Sequence, residues 1–149
     1  MSNDLSKWEG KVDLSVKPGG GRKTWQVDSP ITFIDDGYRI TVTQGATTDG
    51  ASIPRAFWRF IGGPFSGKYI AAALIHDQLY VTQGYDGMFT RKEVDEIFHR
   101  AMISLGVKSW RARLMFWAVR VGGGSGWDAH DPYDVEAEMS HIEVVEHDA

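Results

Sequence analysis

The sequence predicts an α+β domain: a small N-terminal antiparallel β-sheet, then a helical region built on a central antiparallel helix pair. Three observations carry this. Apolar residues alternate with polar ones up to residue 43, the spacing becomes helical from Arg55 onward, and turn residues fall between these segments and not inside them. Strands followed by helices, without regular strand–helix alternation, fit an α+β layer arrangement better than a parallel sheet.

Taken in order, Val12, Leu14 and Val16 alternate with polar neighbours, and residues 24–27, 31–34 and 38–42 read as further strands. The segments Pro18-Gly19-Gly20-Gly21, Asp28-Ser29-Pro30 and Asp35-Asp36-Gly37 separate them. The last pair reads as a hairpin, because Gly37 supplies the positive φ that a tight turn requires. A loop over residues 47–54 leads into helices between residues 55 and 121. One helix is expected over 68–82, with Ile70, Ala73, Leu74, Asp77 and Val81 on a stripe. A second is expected over 91–105, with Val94, Ile97, Phe98, Ala101 and Leu105 on a stripe, Thr90 and Glu93 as a capping box, and Gly106 as its end. A third, over 109–121, carries Trp110, Leu114, Phe116, Trp117 and Val121, expected as core, and stops at Gly122-Gly123-Gly124. Residues 1–127 then form the domain, and 128–149 an acidic peripheral segment with a short amphipathic helix around 135–145.

A chain of 149 residues with 42% hydrophobic and 24% charged residues is long enough to bury one core and too apolar to be disordered. The absence of cysteine excludes disulfide frameworks, thiolate zinc sites, iron–sulfur clusters and cysteine nucleophiles, leaving His, carboxylate and carbonyl groups as metal ligands. No apolar h-region opens the chain and no run approaches the ~18 apolar residues of a membrane span, so neither a signal peptide nor a transmembrane helix is expected. The net charge is −4, but eight acidic residues and no Lys or Arg lie between Asp128 and Asp148, leaving sixteen basic against twelve acidic residues elsewhere. That mild excess falls short of the clustered basic patch expected of a nucleic-acid binder.

Three clusters concentrate reactive residue types: Thr47-Thr48-Asp49-Gly50-Ala51-Ser52-Ile53-Pro54 in a loop, His76-Asp77-Gln78-Leu79-Tyr80 within a helix, and Arg91, Asp95 and His99 on the next helix. His76 and Asp77 project about 100° apart, so one can face a substrate while the other faces a metal held by a neighbouring loop. Tyr80 lies one turn beyond His76, where its hydroxyl can order His76, Asp77 or a carboxylate crossing from the next helix. In an antiparallel helix pair, Asp95 would meet His76. A carboxylate accepting the Nδ1 proton fixes the imidazole tautomer, leaves Nε2 to take a proton from water, and stabilises the imidazolium. Asp77 and Asp49, with backbone carbonyls of the Asp49-Gly50 loop, suit a hard cation such as calcium, which takes about six to eight oxygens. Zinc held by His76, Asp95 and His99 is the alternative metal reading, and no metal is a third. Each feature also has a structural explanation: His76 as a satisfied core histidine, Asp49-Gly50 as a turn, and Asp95 as a surface carboxylate paired with Arg91 or His99.

The run Thr48-Asp49-Gly50-Ala51-Ser52-Ile53-Pro54, then Pro64, then Ala72-Ala73-Leu74-Ile75-His76-Asp77-Gln78-Leu79-Tyr80, then Arg91-Lys92-Glu93-Val94-Asp95-Glu96-Ile97-Phe98 resembles a family of small, largely uncharacterised proteins of tailed phages and prophages. That resemblance implies a phage origin, a virion, tail-associated or lysis-related role beside other virion or tail proteins, and a location in the virion or host cytoplasm. More locally, the Asp-Gly-x-Ser loop, the His-Asp-x-x-Tyr helix and the following helix with Arg, Asp and Phe resemble prokaryotic-type secreted phospholipase A-two enzymes. By that likeness Asp49 and Asp77 would bind calcium, with Gly50 in the binding loop, while His76 activates water and Asp95 orients it. The departures are Leu79 and Ala73, where such helices tend to carry cysteine, and the added N-terminal strands.

Two functional expectations follow. The first is a metal-dependent hydrolase of a lipid ester or other cell-envelope substrate; the second is a non-catalytic virion or tail protein in which the same residues form a structural metal or hydrogen-bond cluster. Lys108, Arg111, Arg113 and Arg120 with Trp110 and Trp117 also raise a basic, aromatic surface for nucleic acid or anionic lipid, against the simpler alternative of a solvated face above a packed one.

Overall fold

The computed structural model describes residues 5–17, 24–48, 69–128 and 132–146. After a 3-10 turn at Leu5–Lys7 come β1 (Trp8–Glu9), β2 (Leu14–Lys17), β3 (Thr24–Val27), β4 (Ile31–Asp35), β5 (Tyr38–Val42) and β6 (Thr47–Thr48). The helices α1 (Tyr69–Val81), α2 (Arg91–Ser104), α3 (Ser109–Gly122), α4 (Gly124–Asp128) and α5 (Pro132–Met139) follow, and β7 (Ile142–Glu146) closes the described chain. The fold is α+β, as the change of period predicts.

The strands form two antiparallel sheets, one in the order β1-β4-β5-β7 and one in the order β2-β3-β6. The β4–β5 hairpin is the expected one: Asp35 pairs with Tyr38 across Asp36 and Gly37, and Gly37 has φ +77°. The end of the chain departs from expectation. Residues 142–146 are a strand paired along the whole of β5, from Ile142 opposite Val42 to Glu146 opposite Tyr38. Ile142 and Val144 are buried in the core while Glu143, Val145 and Glu146 face outward. The segment is therefore not peripheral. Its acidic composition conceals a strand that contributes two inward side chains, and the helix expected over 135–145 ends at Met139.

The sheet and helices share one core, with Phe33, Ile40 and Val42 meeting Leu74, Ile75, Ile97, Phe98 and Met102. Two polar ties fix α2 against the strands. Arg100 donates to both carboxylate oxygens of Asp35, at 2.9 and 2.8 Å, and the Trp8 indole donates to the Ser104 hydroxyl at 2.8 Å. Helix α1 is buried on nearly every side, as its Ala- and Leu-rich sequence requires of a central helix. It packs on α2, which in turn packs on α3. The capping box of α2 forms as expected, with the Thr90 hydroxyl accepting from Glu93 N and the Glu93 carboxylate accepting from Thr90 N. Between α1 and α2 the chain makes a left-handed turn: Gln83, Gly84, Tyr85, Asp86 and Gly87 have φ of 53°, 71°, 58°, 54° and 87°. Gly84 is required there, since a Cβ would lie 1.9 Å from the carbonyl oxygen of Phe89.

On α3 the core is made by Ala112, Met115, Ala118 and Val119, whereas Trp110, Trp117 and Val121, expected as core, are exposed, and Leu114 and Phe116 are half-buried. Helical spacing alone does not say which of two apolar stripes meets the neighbouring helix. No helix among the described residues is long and apolar enough to cross a membrane.

Candidate functional site

Three helices meet at a buried carboxylate. His76 and Tyr80 come from successive turns of α1, Asp95 from the second turn of α2, and Arg120 from the last turn of α3. His76 Nε2 lies 2.8 Å from Asp95 Oδ1, the Tyr80 hydroxyl donates to the same oxygen at 2.7 Å, and Arg120 Nη1 donates to Oδ2 at 2.8 Å. Arg91, one turn before Asp95, holds Nη1 at 3.9 Å from Oδ2. Its guanidinium also donates to the carbonyls of Val119 and Arg120, both at 3.2 Å, so the cation closes the C-terminal end of α3 where orphan carbonyls need donors.

Packing restrains the ring as much as hydrogen bonding does. The imidazole centroid lies 4.2 Å from that of Tyr80 and 4.5 Å from that of Phe98, both tilted. Trp127 meets Tyr80 edge-on at 5.2 Å, and Gly123 lets α3 end against the phenol, because a Cβ there would lie 2.8 Å from the hydroxyl. His76 and Asp95 are both 0% exposed.

Burial lowers the His76 pKa below its ordinary value, outweighing the opposite pull of Asp95, so the ring is neutral at pH 7. Burial acts to raise Asp95, but the hydrogen bonds from His76, Tyr80 and Arg120 prevail and its pKa is lowered. Burial and the adjacent carboxylate push Tyr80 up, keeping it a donor. An ionised Asp95 can only accept, so Nε2 carries the hydrogen and Nδ1 is the basic nitrogen of the ring. This reverses the nitrogen assignment expected from the sequence: it is Nε2, the nitrogen at the far end of the ring, that meets the carboxylate of the neighbouring helix.

Asp77 points elsewhere, toward β6. The Thr48 hydroxyl donates to Asp77 Oδ2, and Gln78 Nε2 donates to the Thr47 carbonyl at 3.0 Å, so two bonds fasten β6 to α1 immediately before residue 49. Asp49 and Gly50, the other candidate calcium ligands, lie outside the described residues. Among the described residues no three His, Asp or Glu side chains form a group able to hold a metal ion. The zinc grouping of His76, Asp95 and His99 is therefore not formed. Asp95 turns inward to His76, while His99 lies in a groove with Lys92, Arg113, Phe116 and Trp117, edge-on to Phe116 at 5.9 Å. The alternative of a surface Asp95 is overturned with it, since the carboxylate is fully enclosed.

The structure thus joins His76, Tyr80 and Asp95 and sets Asp77 beside them on the β6 face. Sequence reasoning missed Arg120 as a partner of Asp95, and Thr48 as the donor to Asp77. Arg120 stood among the basic residues of α3, and nothing in the sequence says that its guanidinium turns back to α2. Thr48 could have been found from its place next to Asp49.

Residues 25–119 match the model of a family described as "Protein of unknown function (DUF1353)". That span contains His76, Asp77, Tyr80, Arg91 and Asp95 and ends one residue before Arg120. The uncharacterized protein y4jT of Sinorhizobium fredii is 38% identical over 103 residues, covering 68% of this chain and 30% of the relative. The uncharacterized protein y4iH of the same organism is 40% identical over 76 residues, covering 51% of this chain and 30% of the relative. The matched part of the chain thus spans less than a third of the length of either relative. No solved structure matches the chain.

Proposed function

The chain belongs to the DUF1353 family of proteins of unknown function, and from that premise we propose that it is a phage- or prophage-encoded metal-dependent hydrolase acting on a lipid ester or related cell-envelope substrate. The observation that carries this reading is the contact of His76 Nε2 with Asp95 Oδ1 at 2.8 Å, in which a carboxylate held by Tyr80 and Arg120 fixes one tautomer of a neutral imidazole. In that state Nδ1 is the base that takes a proton from the attacking water, and Asp95 stabilises the resulting imidazolium. Tyr80 and Arg120 act on Asp95 and not on the substrate; they are positioning residues. The ring has no exposed atom, so this reading requires the adjoining chain to admit water and substrate to it.

A calcium ion would be held by Asp77 with Asp49 and the carbonyl of Gly50. The fit is supported by the all-oxygen donor set and by the Thr48–Asp77 bond, which sets the Asp77 carboxylate against the residue preceding Asp49. When bound, such an ion supplies Lewis-acid polarisation of the ester carbonyl. The phage resemblance would place the protein in the virion or host cytoplasm, beside other virion or tail proteins.

Complete burial of His76 and Asp95 favours a second reading, in which the cluster only locks three helices together in a non-catalytic virion protein. His76→Gln separates the two, because the Gln amide can still donate to Asp95 but has no basic nitrogen. With calcium and a soluble short-chain phospholipid, fatty-acid release is expected from the parent protein and should fall by about 100-fold or more in His76→Gln, the usual worth of a general base. Equal turnover by the two proteins, or none by the parent, overturns the hydrolase.

A further inference from the structure

Helix α3 has two apolar faces, and only one of them is covered. Ala112, Met115, Ala118 and Val119 fill the core, while Trp110, Trp117 and Val121 are 61%, 58% and 85% exposed. With Leu114, half-buried between them, they recur at steps of four, three and four residues, which places all four on one stripe roughly opposite the buried face. Single exposed apolar residues are ordinary, but an aligned stripe containing two tryptophans marks a contact surface. The charge beside it is mostly positive: Lys108, Arg111 and Arg113 are exposed, no acidic residue occurs between residues 107 and 127, and Glu96 of α2 is the acidic side chain that lines a groove with Lys92, Arg100, Arg113 and Trp117. Arg111 and Arg113 flank the stripe on its two sides, and the Arg111 guanidinium lies 5.2 Å from the centre of the Trp110 ring. None of these three cations forms an ion pair among the described residues.

We propose that this face of α3 docks on an anionic lipid bilayer. Tryptophan and arginine also serve protein interfaces, but two amphipathic indoles with exposed cations on both sides fit the headgroup boundary, where the ring body is buried, the N–H stays wet and the cations meet lipid phosphates; a protein partner is an outcome of the test below. The inference deepens the lipid-ester reading without depending on its chemistry. The same helix ends at Arg120, which holds Asp95, so a docked α3 sets the buried cluster one helix away from the lipid surface.

The test is co-sedimentation of the full chain with large unilamellar vesicles of phosphatidylcholine alone or mixed with phosphatidylglycerol, alongside its oligomeric state by light scattering. Binding to the mixed vesicles only, weakened by added salt, is expected. Trp117→Ala should weaken it by about tenfold, as loss of one buried aromatic side chain implies, and Arg111→Glu with Arg113→Glu by a similar factor. All three substituted side chains are solvent-facing, so circular dichroism should be unchanged. The inference is overturned if the parent binds neither vesicle type, if Trp117→Ala binds as the parent does, if the parent is a dimer that Trp117→Ala makes monomeric, or if it prefers an oligonucleotide to the vesicles. His76→Gln keeps the two proposals apart: vesicle binding by this variant together with a parent that hydrolyses nothing would remove the hydrolase and leave docking, whereas turnover of a soluble ester without vesicle binding would do the reverse.

Discussion

Replacing Asp95 by Asn tests the central geometry without changing its shape. The carboxylate accepts from His76 and Tyr80 on Oδ1 and from Arg120 on Oδ2. An amide has one oxygen, so whichever way it turns, its NH2 faces a donor: Arg120 in one orientation, His76 and Tyr80 in the other. Hydrogen bonds to a charged group contribute about 1.5–3 kcal/mol each, against about 1 for neutral ones, and removing one partner from a buried ion pair costs about 3–5 kcal/mol. Arg120 keeps some access to water and is not fully stranded. We therefore expect Asp95→Asn to lose about 3–4 kcal/mol, a large share of the ~5–15 kcal/mol that stabilises a domain. Arg120→Met leaves the fully buried Asp95 carboxylate with two neutral donors and Arg91 at 3.9 Å as its remaining cation, and should lose a comparable amount, about 3–5 kcal/mol. Urea unfolding followed by far-ultraviolet circular dichroism measures both; with a slope of about 1–3 kcal/mol per molar, the Asp95→Asn midpoint should fall by more than ~1 M. A fall below ~0.3 M in either variant would refute the claim that this carboxylate organises three helices.

Two further outcomes follow from the burial of His76 and the geometry of the left-handed turn. Because His76 is held neutral when folded and titrates at its ordinary 6.5 when unfolded, the unfolded chain binds the extra proton and stability falls as pH drops below 6.5. His76→Gln should flatten that slope by up to about 1.4 kcal/mol per pH unit, as measured by urea unfolding between neutral and mildly acidic pH; the remaining slope includes His99, whose pKa burial also lowers. In the left-handed turn, Gly84→Ala forces a Cβ onto the Phe89 carbonyl and should cost about 3 kcal/mol or more, whereas Gly87→Ala, which meets nothing within 4 Å, should cost only the ~1–2 kcal/mol of positive φ. Thermal unfolding ranks the two, and equal losses would mean that the turn is not built as described.

What was legible in the sequence divides by the range of the interaction that decides it. The β4–β5 hairpin and the capping box of α2 depend on residues within a few positions of one another, and Asp36-Gly37 and Thr90 with Glu93 specify them without reference to the rest of the chain. The meeting of His76 with Asp95 was also within reach, because a short connection between two helices forces them side by side, and Tyr80 shares a face with His76 by helical spacing alone. The nitrogen involved was not within reach, since it depends on the side from which α2 approaches. Arg120 and β7 fail for a different reason: each is decided by a partner distant in sequence. Ile142 and Val144 are two apolar residues in an acidic stretch, and only the open edge of β5 makes them a strand.

Helix α3 shows the same limit with a consequence for function. Its apolar residues occupy two stripes, and a count of hydrophobic residues assigns both to the core. Packing against α2 selects the stripe of Ala112, Met115, Ala118 and Val119, in which two alanines and one flexible methionine let the helices approach closely enough for Arg120 to reach Asp95 at 2.8 Å. The bulky stripe, with Trp110 and Trp117, would hold the helices too far apart for that bond. The ion pair and the exposed tryptophans are therefore two results of one choice of helix face. A substitution that enlarges Ala112 or Ala118 should strain the buried carboxylate from a distance while leaving the outer stripe in place.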